Sequence, residues 1–230
     1  RRHGAPADDI DHRRFVVFDT NHDHVGNTPA GARMLADAEP NDPRHRLAAA
    51  VILLSPFTPM LFMGEEYGET APFPYFIDHG DPELVEAVRQ GRRREFADAV
   101  GSGDVADPAD PATFEAAVLD VTLTEHEPHR SRLAMYTELL RIRRDHPELT
   151  DPAAHQQLST DDDEVVVVRS TPTATASLVL NFAATGVGHP ADDPNEFVVF
   201  DTDDERWGGP GHQPSAIGAW AARLRVRRDK

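Results

Sequence analysis

The stretch from Phe15 to Gly64 constrains the fold more than any other. Phe15-Val16-Val17-Phe18 is an unbroken β-prone apolar run, the pattern of a strand covered on both faces. Asp42-Pro43 then reads as a helix N-cap and first helical residue, "RHRLAAAVILLS" (44–55) continues the helix, and Pro56 lies just past its end. "PMLFMG" (59–64) is a second short apolar run, with a strand expected over Met60–Met63. Strand, helix, strand implies a crossover between parallel strands. Such folds place their chemistry where the strands end. Here the first end delivers Asn21, His22, Asp23 and His24, and the second delivers Glu65, Glu66 and Tyr67.

Between the first run and residue 43 the chain reads as a loop rich in Gly, Asn and Pro. Beyond Gly64, "TAPFPYFIDHGDP" is a loop carrying Phe73, Tyr75 and Phe76. Residues 82–99 predict a helix with Glu83 and Glu86 early and Arg89, Arg92, Arg93 and Arg94 late, the order that complements the helix dipole. "GSGDVADPADPA" (101–112) predicts a flexible connection. A second helix is expected over Arg130–Asp145, with Leu133, Tyr136 and Leu140 on one face, and His146-Pro147 ends it. After about residue 150 helical periodicity gives way to short strands, "EVVVVRS", "ASLVLNF", "EFVVFD" and "WAARLRVRR", separated by Pro, Gly and Asp clusters. The chain therefore divides into residues 1–150, α/β in character, and a small all-β module at 151–230. The hexamer FVVFDT occurs in both, at 15–20 and 197–202, but with different flanks, so it is one strand sequence in two settings.

Several chemistries compete for the cluster at 19–27. A capped turn needs no function at all. A calcium loop fits the spacing of Asp19, Asn21 and Asp23, but His24 stands where Gly is needed and Ala30 where a bidentate Glu is needed, which excludes it. A zinc hydrolase could use His22 and His24, with His79 and Asp81 as further ligands. A sugar site could use Asn-His-Asp as hydroxyl-gripping groups. Composition weighs on the partner. With 40 acidic and 23 basic residues the net charge is −17, which repels phosphate backbones and anionic membrane and favours an uncharged substrate. No apolar run reaches the roughly 18 residues that span a bilayer. Without cysteine there are no disulfides or thiolate metal sites. Arg1-Arg2-His3-Gly4 carries no Met and leads almost directly into a buried-looking strand, so a natural segment is expected to precede it.

Asn21-His22-Asp23 after a strand resembles the fourth signature region of the α-amylase superfamily. With "FVVFDTNHDHVGN", "LLSPFTPMLFMGEEYGE" and "PFPYFIDHGDPELVEAVRQGRRREFA" the chain resembles one branch of it, the malto-oligosyltrehalose trehalohydrolases, over most of residues 15–150. That branch has Gln where this chain has His24 and Arg where it has Thr28. The resemblance implies an α/β fold: the last part of a (β/α)8 TIM barrel, followed by a β-sandwich. It implies a cytoplasmic retaining glycosidase of trehalose biosynthesis, with no cofactor and no metal. Its substrate would be maltooligosyl trehalose or another α-glucan, with neither nucleic acid nor membrane as partner. Asp23 would be the transition-state stabiliser, and Asn21, His22, His24, Glu65, Glu66, Tyr75 and Phe76 would bind substrate. A full barrel needs about 250 residues, and the nucleophile and acid/base would lie on strands upstream of Arg1, so this chain alone is expected to be inactive. Other readings are another α-amylase-type hydrolase or branching enzyme, the His22/His24 metal hydrolase, and a non-catalytic carbohydrate-binding piece.

Overall fold

The computed structural model describes residues 7, 9–97, 105–189 and 195–228. In chain order its main elements are β1 (Val16–Val17), α1 (His22–Gly26), α2 (Pro43–Leu54), β2 (Thr58–Pro59), α3 (Pro82–Glu95), α4 (Pro111–Glu115), α5 (His129–Asp145), β3 (His155–Asp161), β4 (Glu164–Ser170), β5 (Ala174–Asn181), β6 (Val187–Gly188), β7 (Phe197–Asp201), β8 (Ala216–Ile217) and β9 (Ala221–Arg228). The fold is mixed helix and sheet, in two compact units. One comprises Arg1–Asp19, Glu39–Met60 and Arg130–Lys230; the other comprises Thr20–Ala38 and Leu61–His129. Among the described residues no helix is long and apolar enough to cross a membrane.

In the first unit β1 and β2 pair in parallel, Val16 with Thr58 and Val17 with Pro59, as a strand–helix–strand crossover requires. The second strand therefore falls just before the expected Met60–Met63, and Met60 N donates to Val17 O at 2.8 Å as its last rung. Helix α2 starts as its sequence dictates, with the Asp42 side chain accepting from Arg44 N and Pro43 at the first turn. Its C-terminal end carries no basic residue of its own. Instead Arg143, from α5, donates to the carbonyls of Leu53 and Ser55, which the helix leaves open, and to that of Phe57 just beyond it. The buried face of α5 is Met135, Tyr136, Leu139 and Ile142, one step round from the expected Leu133–Leu140 face, and Leu140 is exposed.

The β module is a five-stranded antiparallel sheet in the order β3-β4-β5-β9-β7, accompanied by the β6–β8 ribbon. Four of its strands lie where the sequence predicts them. The fifth, β3, is an edge strand whose residues are all exposed, so it has no apolar pattern to betray it. One sheet face, with Leu178, Leu180 and Leu224, packs toward α2. The other is covered by the ribbon, through Val179, Ala221 and Ile217 with Val166 and Val187. Double coverage explains why Arg223 and Arg225, which read as the polar half of an alternating strand, are buried. Arg223 Nε donates to Asp201 Oδ2 at 2.8 Å, and His212 Nδ1 lies 2.6 Å from the same oxygen. Asp201, inside the second FVVFDT, is thus the centre of a buried charge node.

Candidate active site

The chain leaves β1 and enters the second unit at Thr20. The segment 19–27, read as loop, contains a helical turn. Asn21 is extended (φ −147°, ψ 178°), and its side chain accepts from His24 N at 2.9 Å, so Asn21 is the N-cap of α1. This places His22 and Asp23 in the first turn, where a carboxylate complements the helix N-terminus. Both side chains point to solvent, at 71% and 70% exposure, with Nε2 of His22 3.2 Å from Oδ1 of Asp23. His24 is exposed as well. On a helix, residues two apart are rotated by about 200° and do not share a face. His22 and His24 therefore lack the arrangement that a strand end would give a shared metal, and the described residues contain no group of three His, Asp or Glu placed to hold one.

The second apolar run ends beside this turn within the same unit. Glu65 Oε2 accepts from Phe62 N at 2.9 Å and from Thr20 Oγ1 at 3.3 Å, joining the approach to Asn21 to the loop carrying Glu65 and Glu66. Glu66 is half-buried on that loop. The loop 71–76 is braced on α1. Phe73 N donates to Gly31 O at 2.7 Å, and Arg92, buried on α3, donates to Gly26 O at 2.8 Å and to Asn27 Oδ1 at 3.3 Å. The same guanidinium lies 4.9 Å over the Tyr75 ring, while Tyr75 stays 40% exposed. Phe76 sits in an edge-to-face row, Phe62, Phe73, Phe76, Phe114, with centroid spacings of 5.2, 5.7 and 5.3 Å. Of the two aromatics, Tyr75 has the more available surface, and Phe76 is held by neighbours on both sides.

Three residues that sequence reasoning passed over organise this region. Arg33 donates to Met63 O at 2.8 Å and to Ala71 O at 2.6 Å. Its burial pulls the guanidinium pKa down, against the raising effect of Glu69. Arg92 reads only as one of four basic residues at a helix end. Glu69 is buried and reads only as the third Glu of "MGEEYGE". The glycines around it, Gly64 and Gly68, both at positive φ, were the available sign of a tight knot.

No protein-family model matches the chain. A solved structure described as a putative alpha amylase from Salmonella typhimurium superposes with a TM-score of 0.76 at 35% identity, covering 94% of this chain and 35% of that one. The fold is thus that of a part of α-amylase-family enzymes. Within that class the chain is homologous to malto-oligosyltrehalose trehalohydrolase. It is 49% identical over 150 residues to the protein of that name from Arthrobacter ramosus, covering 64% of this chain and 26% of the relative. It is 37% identical over 208 residues to the one from Rhizobium sp. (strain M-11), covering 89% of this chain and 34% of the relative. The chain spans about a quarter to a third of the length of the curated relatives it matches, in their C-terminal part.

Proposed function

We propose that the chain is the C-terminal part of an enzyme that hydrolyses the α-1,4 bond next to the terminal trehalose of maltooligosyl trehalose, releasing trehalose. In this reading residues 1–150 complete a (β/α)8 barrel, residues 151–230 form its accessory β-sandwich, and the enzyme works in the cytoplasm. The observation that carries it is the Asn21-capped turn, which holds the Asp23 carboxylate at 70% exposure and is tied through Thr20 to Glu65. An exposed, helix-oriented carboxylate can accept hydrogen bonds from two sugar hydroxyls. As the glycosidic bond breaks, positive charge grows on the anomeric carbon, and those hydrogen bonds strengthen with it. His22, 3.2 Å from Asp23, supplies a donor to the same ring, and Tyr75 offers a face for stacking. A retaining mechanism also needs a nucleophile and an acid/base about 5 Å apart, which this reading assigns to upstream barrel strands.

The decisive experiment is Asp23→Asn in the full-length enzyme, which keeps the shape and removes the charge. Trehalose release should fall by about 10²–10³. Near-normal turnover would sink the assignment.

A further inference from the structure

Glu69 is buried at 5% exposure and both of its oxygens are saturated. Oε1 accepts from Thr70 N at 2.7 Å and Ala71 N at 2.8 Å. Oε2 accepts from Tyr67 Oη at 2.8 Å and Asp120 N at 2.7 Å. Burial works to raise its pKa, but these four donors outweigh it, and the carboxyl lies below its ordinary range. Glu69 N donates to Gly64 O at 2.8 Å, and Gly64, at φ +89°, lies so close that a Cβ there would stand 2.6 Å from Glu69 Cβ. Arg33 clasps both ends of the same loop, at Met63 O and Ala71 O. Within the clasp lie Glu65 and Glu66; just beyond it lie Tyr75 and Phe76.

We infer that Glu69 is the positioning residue for the substrate-binding rim: it holds the 64–71 loop in the one conformation that presents Glu65, Glu66 and Tyr75 to an oligosaccharide. This rests on the glycosidase reading above. Glu69 has no lone pair left for a sugar, so it acts through its neighbours. Its loss should weaken binding of the uncleaved substrate more than it slows the bond-breaking step.

The test is steady-state trehalose release by the full-length enzyme and its Glu69→Gln and Tyr67→Phe variants, together with limited proteolysis of the 63–76 loop. In Glu69→Gln one carboxylate oxygen becomes an NH2 group, so whichever way the amide turns at least one main-chain N–H loses its acceptor. KM should rise about tenfold, a fraction of the ~10²-fold that a 1 Å misplacement can cost, while kcat changes less. Cleavage in the loop should quicken, with a Tm shift of no more than about 4 °C. Tyr67→Phe removes one donor and should move KM in the same direction by about twofold to threefold. If Glu69→Gln fails to fold, Tyr67→Phe decides. Unchanged KM in a folded variant, or a fall in Tm with KM and loop cleavage unchanged, overturns the positioning role and leaves the glycosidase reading standing. Absence of trehalose release by the unmutated full-length enzyme overturns both.

Discussion

Gly31→Ala tests whether the loop bearing Tyr75 and Phe76 must sit where it does. Gly31 has φ +67°, a conformation costing an L-residue about 1–2 kcal/mol. The larger effect is steric. A Cβ at this position would lie 2.1 Å from Pro74 N, 2.3 Å from Phe73 C and 2.5 Å from Pro74 Cα. Ordinary contact begins at 3.4 Å, so about 1.3 Å must be found by moving one backbone away from the other. The obstructing atoms belong to main chain and proline ring, so no rotamer change relieves the clash. The Phe73 N–Gly31 O bond, now 2.7 Å, lengthens or breaks, and the 73–76 segment shifts away from α1. A displacement of this size at a binding loop costs on the order of 10²-fold in kcat/KM. Trehalose release by the full-length variant measures it. Gly91→Ala is the control: it lies inside α3 with nothing within 4 Å of the added carbon, and should leave activity intact while stabilising the protein by about 0.5–1 kcal/mol. Activity of Gly31→Ala within threefold of the parent would refute the claim that this loop's placement governs substrate binding.

The buried node of the β module gives a second test: Asp201→Ala leaves Arg223, at 0% exposure, without its counter-ion and should cost about 3–5 kcal/mol in urea unfolding, whereas Asp201→Ala with Arg223→Met should recover most of the loss. A single-mutant cost below about 1 kcal/mol would mean that the pair is solvated. His45 predicts acid sensitivity. Burial, then the nearby Arg132 charge, lower its pKa to about 4, so the folded state keeps it neutral while the unfolded chain takes up a proton below about 6.5. Its contribution is complete above about pH 6.5 and is lost as pH falls toward 4, by about 3 kcal/mol at most, and Tm measured across that window should flatten in His45→Gln. Chelator should leave the full-length enzyme's activity unchanged, because His22 and His24 diverge on α1; activity that is lost and then restored by one zinc per chain would revive the metal reading.

What could be read from the sequence follows from where the stabilising information lies. Helix α2 was legible because its start is chemical, Asp42 and Pro43, and its body is long and apolar. Strands β4, β5 and β9 were legible because apolar runs bounded by Pro, Gly and Asp can do little else. The α3 helix was legible by its charge order, although it ends at Glu95; residues 98–99 and the start of the 101–112 connection lie outside the described residues, and the end of that connection is α4. By contrast α1 is too short for periodicity, and only its Asn21 cap marks it. Edge strand β3 draws on main-chain bonds to β4, seven residue pairs from His155↔Ser170 to Asp161↔Glu164, which any side chains permit. In the candidate site the chemistry-bearing Asn21, His22 and Asp23 were legible as residue types. Their scaffolding by Arg33, Glu69 and Arg92 was not, because a charged side chain does not reveal its partner until the backbone brings one to it.

The two copies of FVVFDT separate what local sequence decides from what it leaves open. Both hexamers contribute β-strand, because Val and Phe favour extended backbone wherever they stand. In the first copy β1 is two residues long and parallel to β2; in the second β7 is five residues long and antiparallel to β9. The threonine that closes each hexamer marks the divergence. Thr202 is buried, and its hydroxyl donates to Ala222 O at 3.2 Å and accepts from Ala222 N at 2.8 Å, so it extends the sheet. Thr20 instead donates to the Glu65 carboxylate at 3.3 Å, so it joins two loop segments. Asp201, inside the second hexamer, turns inward to Arg223, and Asp203, the residue after Thr202, accepts from Gly218 N. After Thr20 the chain has Asn21, whose cap directs Asp23 outward. A carboxylate spent on an internal arginine can stabilise but cannot bind; one held exposed on a capped turn can bind but adds little to stability. The residue following the hexamer, Asn in one copy and Asp in the other, is where the same strand sequence is directed either to an exposed capped turn, which the proposed function uses for recognition, or to an internal bond.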